Sequence, residues 1–185
     1  MLFVSMALRN ASLPEVVSRA MFNIGSVWLV FLLYATLLTL LFDVVHKLVP
    51  AFSYGTPIAL IITLLVMIIG YVNYRNPRVE TIEIISNKIE DDVRIAVVSD
   101  IHLGYGTNKN KLERYVELIN SQNPDIVVIV GDLIDNSLYP VREQHMNETL
   151  SNIKVEKGVY MVLGNHEYIS GVEESIDYLR TTPIT

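Results

Sequence analysis

The sequence predicts an α/β protein in which an N-terminal transmembrane helical hairpin precedes a layered α/β sheet. Three observations carry this expectation. Residues 24–42 and 56–74 are two runs of 19 residues without a charge. Beyond them, short β-rich runs alternate with polar helical stretches, and Asp, His and Asn residues follow three of those runs directly. With 51% hydrophobic and 18% charged residues among 185, the chain is too apolar for a disordered segment or an ordinary soluble domain. Two kinds of polypeptide are joined: residues 1–75 carry four basic and two acidic side chains, the remainder ten and eighteen. The net charge of −6 argues against a broad nucleic-acid surface. The absence of cysteine excludes disulfides, thiol nucleophiles and thiolate metal sites.

At about 1.5 Å per residue, each apolar run spans nearly the ~30 Å of a bilayer's hydrocarbon core. Neither run alternates charge with apolar side chains as a solvent-facing helix does, and the rest of the chain is too short to bury both as core helices. Trp28, Tyr71 and Tyr74 suit an interfacial belt. Pro50 and Gly55 break the chain between the spans, so residues 24–74 read as a hairpin in a lipid bilayer. Residues 1–23 form an N-terminal segment whose first eight residues are apolar but too few to span. They read as an interfacial segment or the tail of an upstream helix, and a cleaved signal peptide fits poorly. Arg9, Arg19, Arg75 and Arg78 flank one side of the hairpin and Lys47 the other, which predicts a cytoplasmic polar half.

Residues 75–92 read as a linker with a first strand at 81–85 (TIEII), and 93–185 as the domain proper. Residues 93–98 are the next strand. Residues 109–121 place Leu112, Val116 and Ile119 at helical spacing, with Pro124 as a stop. The unbroken run IVVIV at 126–130 is expected of a strand covered on both faces. A helix at 142–152, a buried strand at 159–163 and a helix at 171–180 complete the alternation of a layered sheet.

The polar residues sit where such a sheet binds ligands, beyond the C-terminal ends of its strands. Asp100 and His102 follow one strand, Asp132 and Asp135 the next, and Asn165 and His166 the third. Residues i and i+2 of an extended strand end point the same way, so Asp100 and His102 can share one ion. Carboxylate, amide and imidazole donors suit manganese, iron or zinc, and the set can hold two divalent ions about 3.5–4 Å apart. Such a pair lowers the pKa of a shared water and stabilises displacement at phosphorus. Taken alone, Asp135 reads equally well as a turn or cap residue. The loop with Gly104, Gly106 and Thr107 matches no phosphate-binding spacing, and His46 and His145 lie outside the constellation.

The blocks DIH at 100–102, GDLID at 131–135 and GNHE at 164–167 resemble, in order and spacing, the first three signatures of the calcineurin-like metallophosphoesterase superfamily. The hairpin ahead of them resembles its bacterial membrane-associated branch, which implies an integral protein of the bacterial inner membrane. The resemblance implies the first half of a layered metallophosphoesterase α/β sandwich that hydrolyses phosphate mono- or diesters, including lipid-linked or nucleotide-linked ones. It further implies that Asp100 and His102 bind a first metal, Asp132 bridges two, and Asn165 binds the second. His166 is then the non-ligand acid that protonates the leaving oxygen, and Asp135 orients it. Asn136 stands where members commonly have Arg.

The family supplies further histidines downstream, and no histidine follows His166 here. Both ions are then under-coordinated, and strands 126–130 and 159–163 are left partly uncovered. The expectation is therefore an N-terminal portion of a longer enzyme, inactive by itself. The competing reading is a non-catalytic membrane protein with a degenerate phosphoesterase-like binding or scaffolding domain. A channel or transporter is disfavoured, because the spans carry no charge and no broken helix.

Overall fold

The computed structural model describes residues 15–185. The expectation for residues 1–8 lies outside the described residues, as does Arg9. The chain divides into two compact units, Ile24–Ser86 and, among the described residues, Asn87–Thr185 with residues 15–23.

The first unit holds the hairpin helices, of which α1 runs over Glu15–Leu48 and α2 over Gly55–Arg75. Both exceed the uncharged runs, because a helix keeps its backbone bonded internally after its side chains turn polar. His46 therefore falls in the last turn of α1, where Nδ1 lies 2.7 Å from the Phe52 carbonyl, rather than in a free loop. Leu33, Leu40, Ile61 and Ile69 are more than half exposed, which is the opposite of core helices in a soluble domain. Gly55, Ala59 and Thr63, four residues apart, are the buried stripe of α2. A Cβ on Gly55 would lie 2.7 Å from Phe42 Cβ, so the glycine is what lets the two helices meet at the turn.

Residues 81–85 form no strand, contrary to the expectation. Ile82, Ile84 and Ile85 are more than four-fifths exposed. Their alternation with Glu83 has the right period, but a strand exists through ladder bonds to a neighbour, and no described residue supplies them.

The second unit is built on three parallel strands in the order β1 (Ile95–Val98), β2 (Ile126–Val130), β3 (Val159–Val162). Ile95 pairs with Ile126, and Val127 with Val159. Beyond β3, Val159 bridges to Ile184, with Thr185 and Val159 or Met161 exchanging backbone bonds of 2.9 Å. Helix α3 (Lys109–Ser121) matches its predicted span. Asn108 caps it by accepting from Lys111 N–H at 3.1 Å, and Leu112, Val116 and Ile119 face the core.

The expected helix at 142–152 is instead two short ones, α4 (Tyr139–Glu143) and α5 (Met146–Leu150), broken at His145 with φ of 49°. Val141 and Met146 are both fully buried yet five residues apart, which puts them about 140° apart on a continuous helix. One residue in the left-handed region resets the phase so that both face inward. Helix α6 (Asn165–Ser170), unforeseen in the sequence, precedes α7 (Val172–Leu179).

Val127, Ile129 and Val159 form the buried face of the sheet, packed with Leu112, Val116, Met146 and Leu179 in one cluster. The other face is open, with Val97 64% and Val162 60% exposed, so β2 is covered on one face rather than two.

Candidate metal centre

The loops that leave β1 and β2 are held side by side by backbone bonds that continue the sheet beyond its strands. Leu103 N–H donates to the Leu133 carbonyl at 2.7 Å, His102 N–H to Asp132 O at 3.0 Å, and Asp135 N–H to Leu103 O at 3.0 Å. Leu103, Leu133 and Ile134 are fully buried and anchor the loops in the core, while their neighbours His102, Asp132 and Asp135 are left at the partly open edge. The second and third loops approach backbone to backbone. A Cβ on Gly131 would lie 2.9 Å from Gly164 Cα, and one on Gly164 would lie 2.6 Å from Asp132 N and collide with the Asp132 carboxylate. Glycine is required at both places.

This packing brings His102, Asp132 and His166 together, each with a ligand atom within 4.8 Å of the others. The two imidazoles meet edge to face with centroids 4.4 Å apart. Asp135 serves both rings. Its Oδ1 lies 3.2 Å from His166 Nδ1 and 3.7 Å from His102 Nδ1, and accepts from Asn136 Nδ2 at 2.9 Å. Asn136, where the resemblance leads one to expect Arg, is thus turned onto a carboxylate. Asp100 lies 3.8 Å from His102 Nε2 with its side chain 66% exposed. Their proximity does not come from an extended strand end: β1 stops at Val98, and Asp100 and His102 both have φ near +50°. Asn165 is exposed at the head of α6, next to His166.

The donor set fits a divalent ion on two counts. The imidazole of His102 and the carboxylate of Asp132 are donors suited to manganese, iron or zinc, with the His166 ring beside them. In addition, Asp135 Oδ1 faces the buried Nδ1 of His102, so Nε2 is the nitrogen that this ring has left for an ion. Away from the site, burial pushes the Tyr178 phenol up, against the opposing pull of Arg142.

Glu167 is the residue that sequence reasoning left without a role. It is fully buried, and its carboxylate accepts Asp132 N–H at 3.0 Å and Gly164 N–H at 2.7 Å on Oε2, and Ile134 N–H at 2.9 Å on Oε1. Bonds of this kind to a charged group contribute about 1.5–3 kcal/mol each, which offsets the cost of burying the charge. Its signal in the sequence was an acidic residue three positions after a glycine that opens a helix.

The calcineurin-like phosphoesterase family matches residues 93–184. A zebrafish (Danio rerio) transmembrane protein with metallophosphoesterase domain is 40% identical over 117 residues, 61% of this chain and 26% of that protein. A Caenorhabditis elegans protein named for the same activity is 34% identical over 173 residues, 85% of this chain and 35% of that protein. The UDP-2,3-diacylglucosamine pyrophosphatase of Chlamydia trachomatis is 31% identical over 84 residues, 45% of this chain and 25% of the relative. The chain thus spans about a quarter to a third of these relatives. No solved structure matches it. With DIH, GDLID and GNHE on three adjoining strand-end loops inside the matched segment, the chain belongs to the calcineurin-like metallophosphoesterases.

Proposed function

We propose that the protein containing this chain is a membrane-anchored, metal-dependent phosphoesterase. The observation that carries this reading is the convergence of His102, Asp132 and His166 within 4.8 Å of one another, with Asp135 facing both rings. Asp100 and His102 would hold a first ion, Asp132 would serve both, and Asn165 would hold the second. When bound, such ions supply a Lewis acid that lowers the pKa of water and withdraws charge from the phosphoryl oxygens. Asp132 keeps one oxygen for this task, because Oδ1 already accepts His166 N–H at 2.8 Å. His166 protonates the leaving oxygen, and Asp135, 3.2 Å from its Nδ1, fixes the ring and its tautomer.

The two apolar helices lie in the bilayer, the inner membrane in a bacterial cell, with the polar unit cytoplasmic. Anchoring favours lipid-linked phosphate mono- or diesters, and the Chlamydia trachomatis relative, a pyrophosphatase by name, supports a phosphoanhydride as well. The test is the intact protein in detergent with bis(p-nitrophenyl) phosphate, p-nitrophenyl phosphate and a lipid pyrophosphate. Turnover that requires Mn²⁺, Fe²⁺ or Zn²⁺ and stops on chelation supports the reading. Bound metal without turnover of any of the three supports the non-catalytic alternative.

A further inference from the structure

Two carboxylates tie the second and third loops in opposite directions. Glu167, on the third loop, accepts the backbone N–H of Asp132 and Ile134 on the second. Asp132, on the second, accepts the backbone N–H of His166 on the third. Glu167 also accepts Gly164 N–H within its own loop, and no lysine or arginine is paired with its charge among the described ion pairs. A carboxylate is acceptor-only, so it can take three converging N–H groups at once. A glutamine cannot: whichever way its amide turns, its NH₂ meets a backbone N–H.

We infer that Asp132 and Glu167 form a reciprocal clasp that sets the spacing of Asp132 and His166 before any ion binds, with Glu167 as its positioning residue. The inference rests on the reading of these loops as a metal centre. A preset site loses less freedom on binding, so the clasp raises metal affinity without contributing a ligand. It also separates the two functions of Asp132. Asn at this position retains an oxygen that can accept His166 N–H, so Asp132→Asn keeps the clasp while weakening the ligand.

Amide hydrogen exchange on the intact detergent-purified protein, stripped of metal and then loaded with Mn²⁺, tests the clasp without a mutation. Peptides covering 131–135 and 163–168 are expected to be protected in both states. If they exchange freely until Mn²⁺ is added, the clasp is not preset and the inference is wrong. In Glu167→Gln, Mn²⁺ affinity is expected to fall about 10–100-fold, with protection lost at 131–135 but kept in strands 126–130 and 159–162. An unchanged affinity in that variant also overturns the inference. If the variant does not fold, the wild-type exchange result decides alone. A wild type that binds no Mn²⁺ strikes instead at the metal-centre reading on which the inference rests.

Discussion

Asp132 has one oxygen bonded to the His166 amide and its own amide bonded to Glu167, so its side chain is held from both ends. His166 is held by the same amide, while its ring faces Asp135. The two residues therefore make different predictions. Asp132→Asn should remove metal and activity together in the intact protein, because it weakens a shared anionic ligand. His166→Ala should leave metal content nearly unchanged and lower turnover of alkyl phosphodiesters about 10²–10⁴-fold, with a smaller defect on p-nitrophenyl esters, whose leaving group departs without a proton. Elemental analysis beside the two rates checks this; loss of metal from His166→Ala would make the ring a ligand and not an acid. Gly164→Ala should separate the second and third loops, costing about 1–3 kcal/mol in thermal unfolding, since its Cβ falls on the Asp132 carboxylate and amide. An unchanged melting temperature would show that the loops have room to spare. The clustering of His102, Asp132 and His166 was legible because each lies a short step past a strand end. Glu167 was not, because its partners are backbone amides on a loop more than thirty residues away, and no side-chain pattern records them.

At the scale of elements, helix α3 was read at its full span because Asn108, the apolar stripe and Pro124 all mark the same boundaries. The region after β2 was misread because Arg142–Asn152 is uniformly compatible with helix, while the break at His145 is dictated by the need to bury both Val141 and Met146. Local propensity cannot register that demand. Helix α7 carries a related mismatch. Tyr178 is 4% exposed and its hydroxyl has no hydrogen bond, so the ring is buried for its area and the oxygen is an uncompensated cost. Tyr178→Phe should therefore stabilise the protein by about 1 kcal/mol. Chemical denaturation of the two forms measures it, and a destabilised variant would mean that the hydroxyl has a partner, with Arg142 the first to examine.

At the scale of the whole molecule, each unit exposes apolar surface for its own reason. The hairpin's exposed Leu, Ile and Val side chains face lipid on the proposed reading, and the basic residues at its ends give that reading a direction. A fluorescent or alkaline phosphatase reporter fused after Arg78 should fluoresce and lack phosphatase activity, and the reverse pattern would place the polar unit across the membrane. The sheet is a different case. Ile95, Val97, Val130, Tyr160 and Val162 are exposed on one face of a three-stranded parallel sheet, although parallel strands are ordinarily covered on both. The unbroken run IVVIV puts apolar residues on both faces of β2, and its register places Val130 beside Val162 on the open side. A contiguous apolar face of this kind associates in water. Residues 87–185 expressed alone should therefore self-associate at micromolar concentration and bind an apolar dye. Val97→Thr with Val162→Thr should reduce both effects while leaving the loops of the proposed metal centre, which lie at the strand ends, untouched. Sedimentation velocity and dye fluorescence measure this directly. A dye-silent monomer with a sharp thermal transition would show that the open face is tolerated by the isolated unit, and that apolar exposure on one side does not limit its stability.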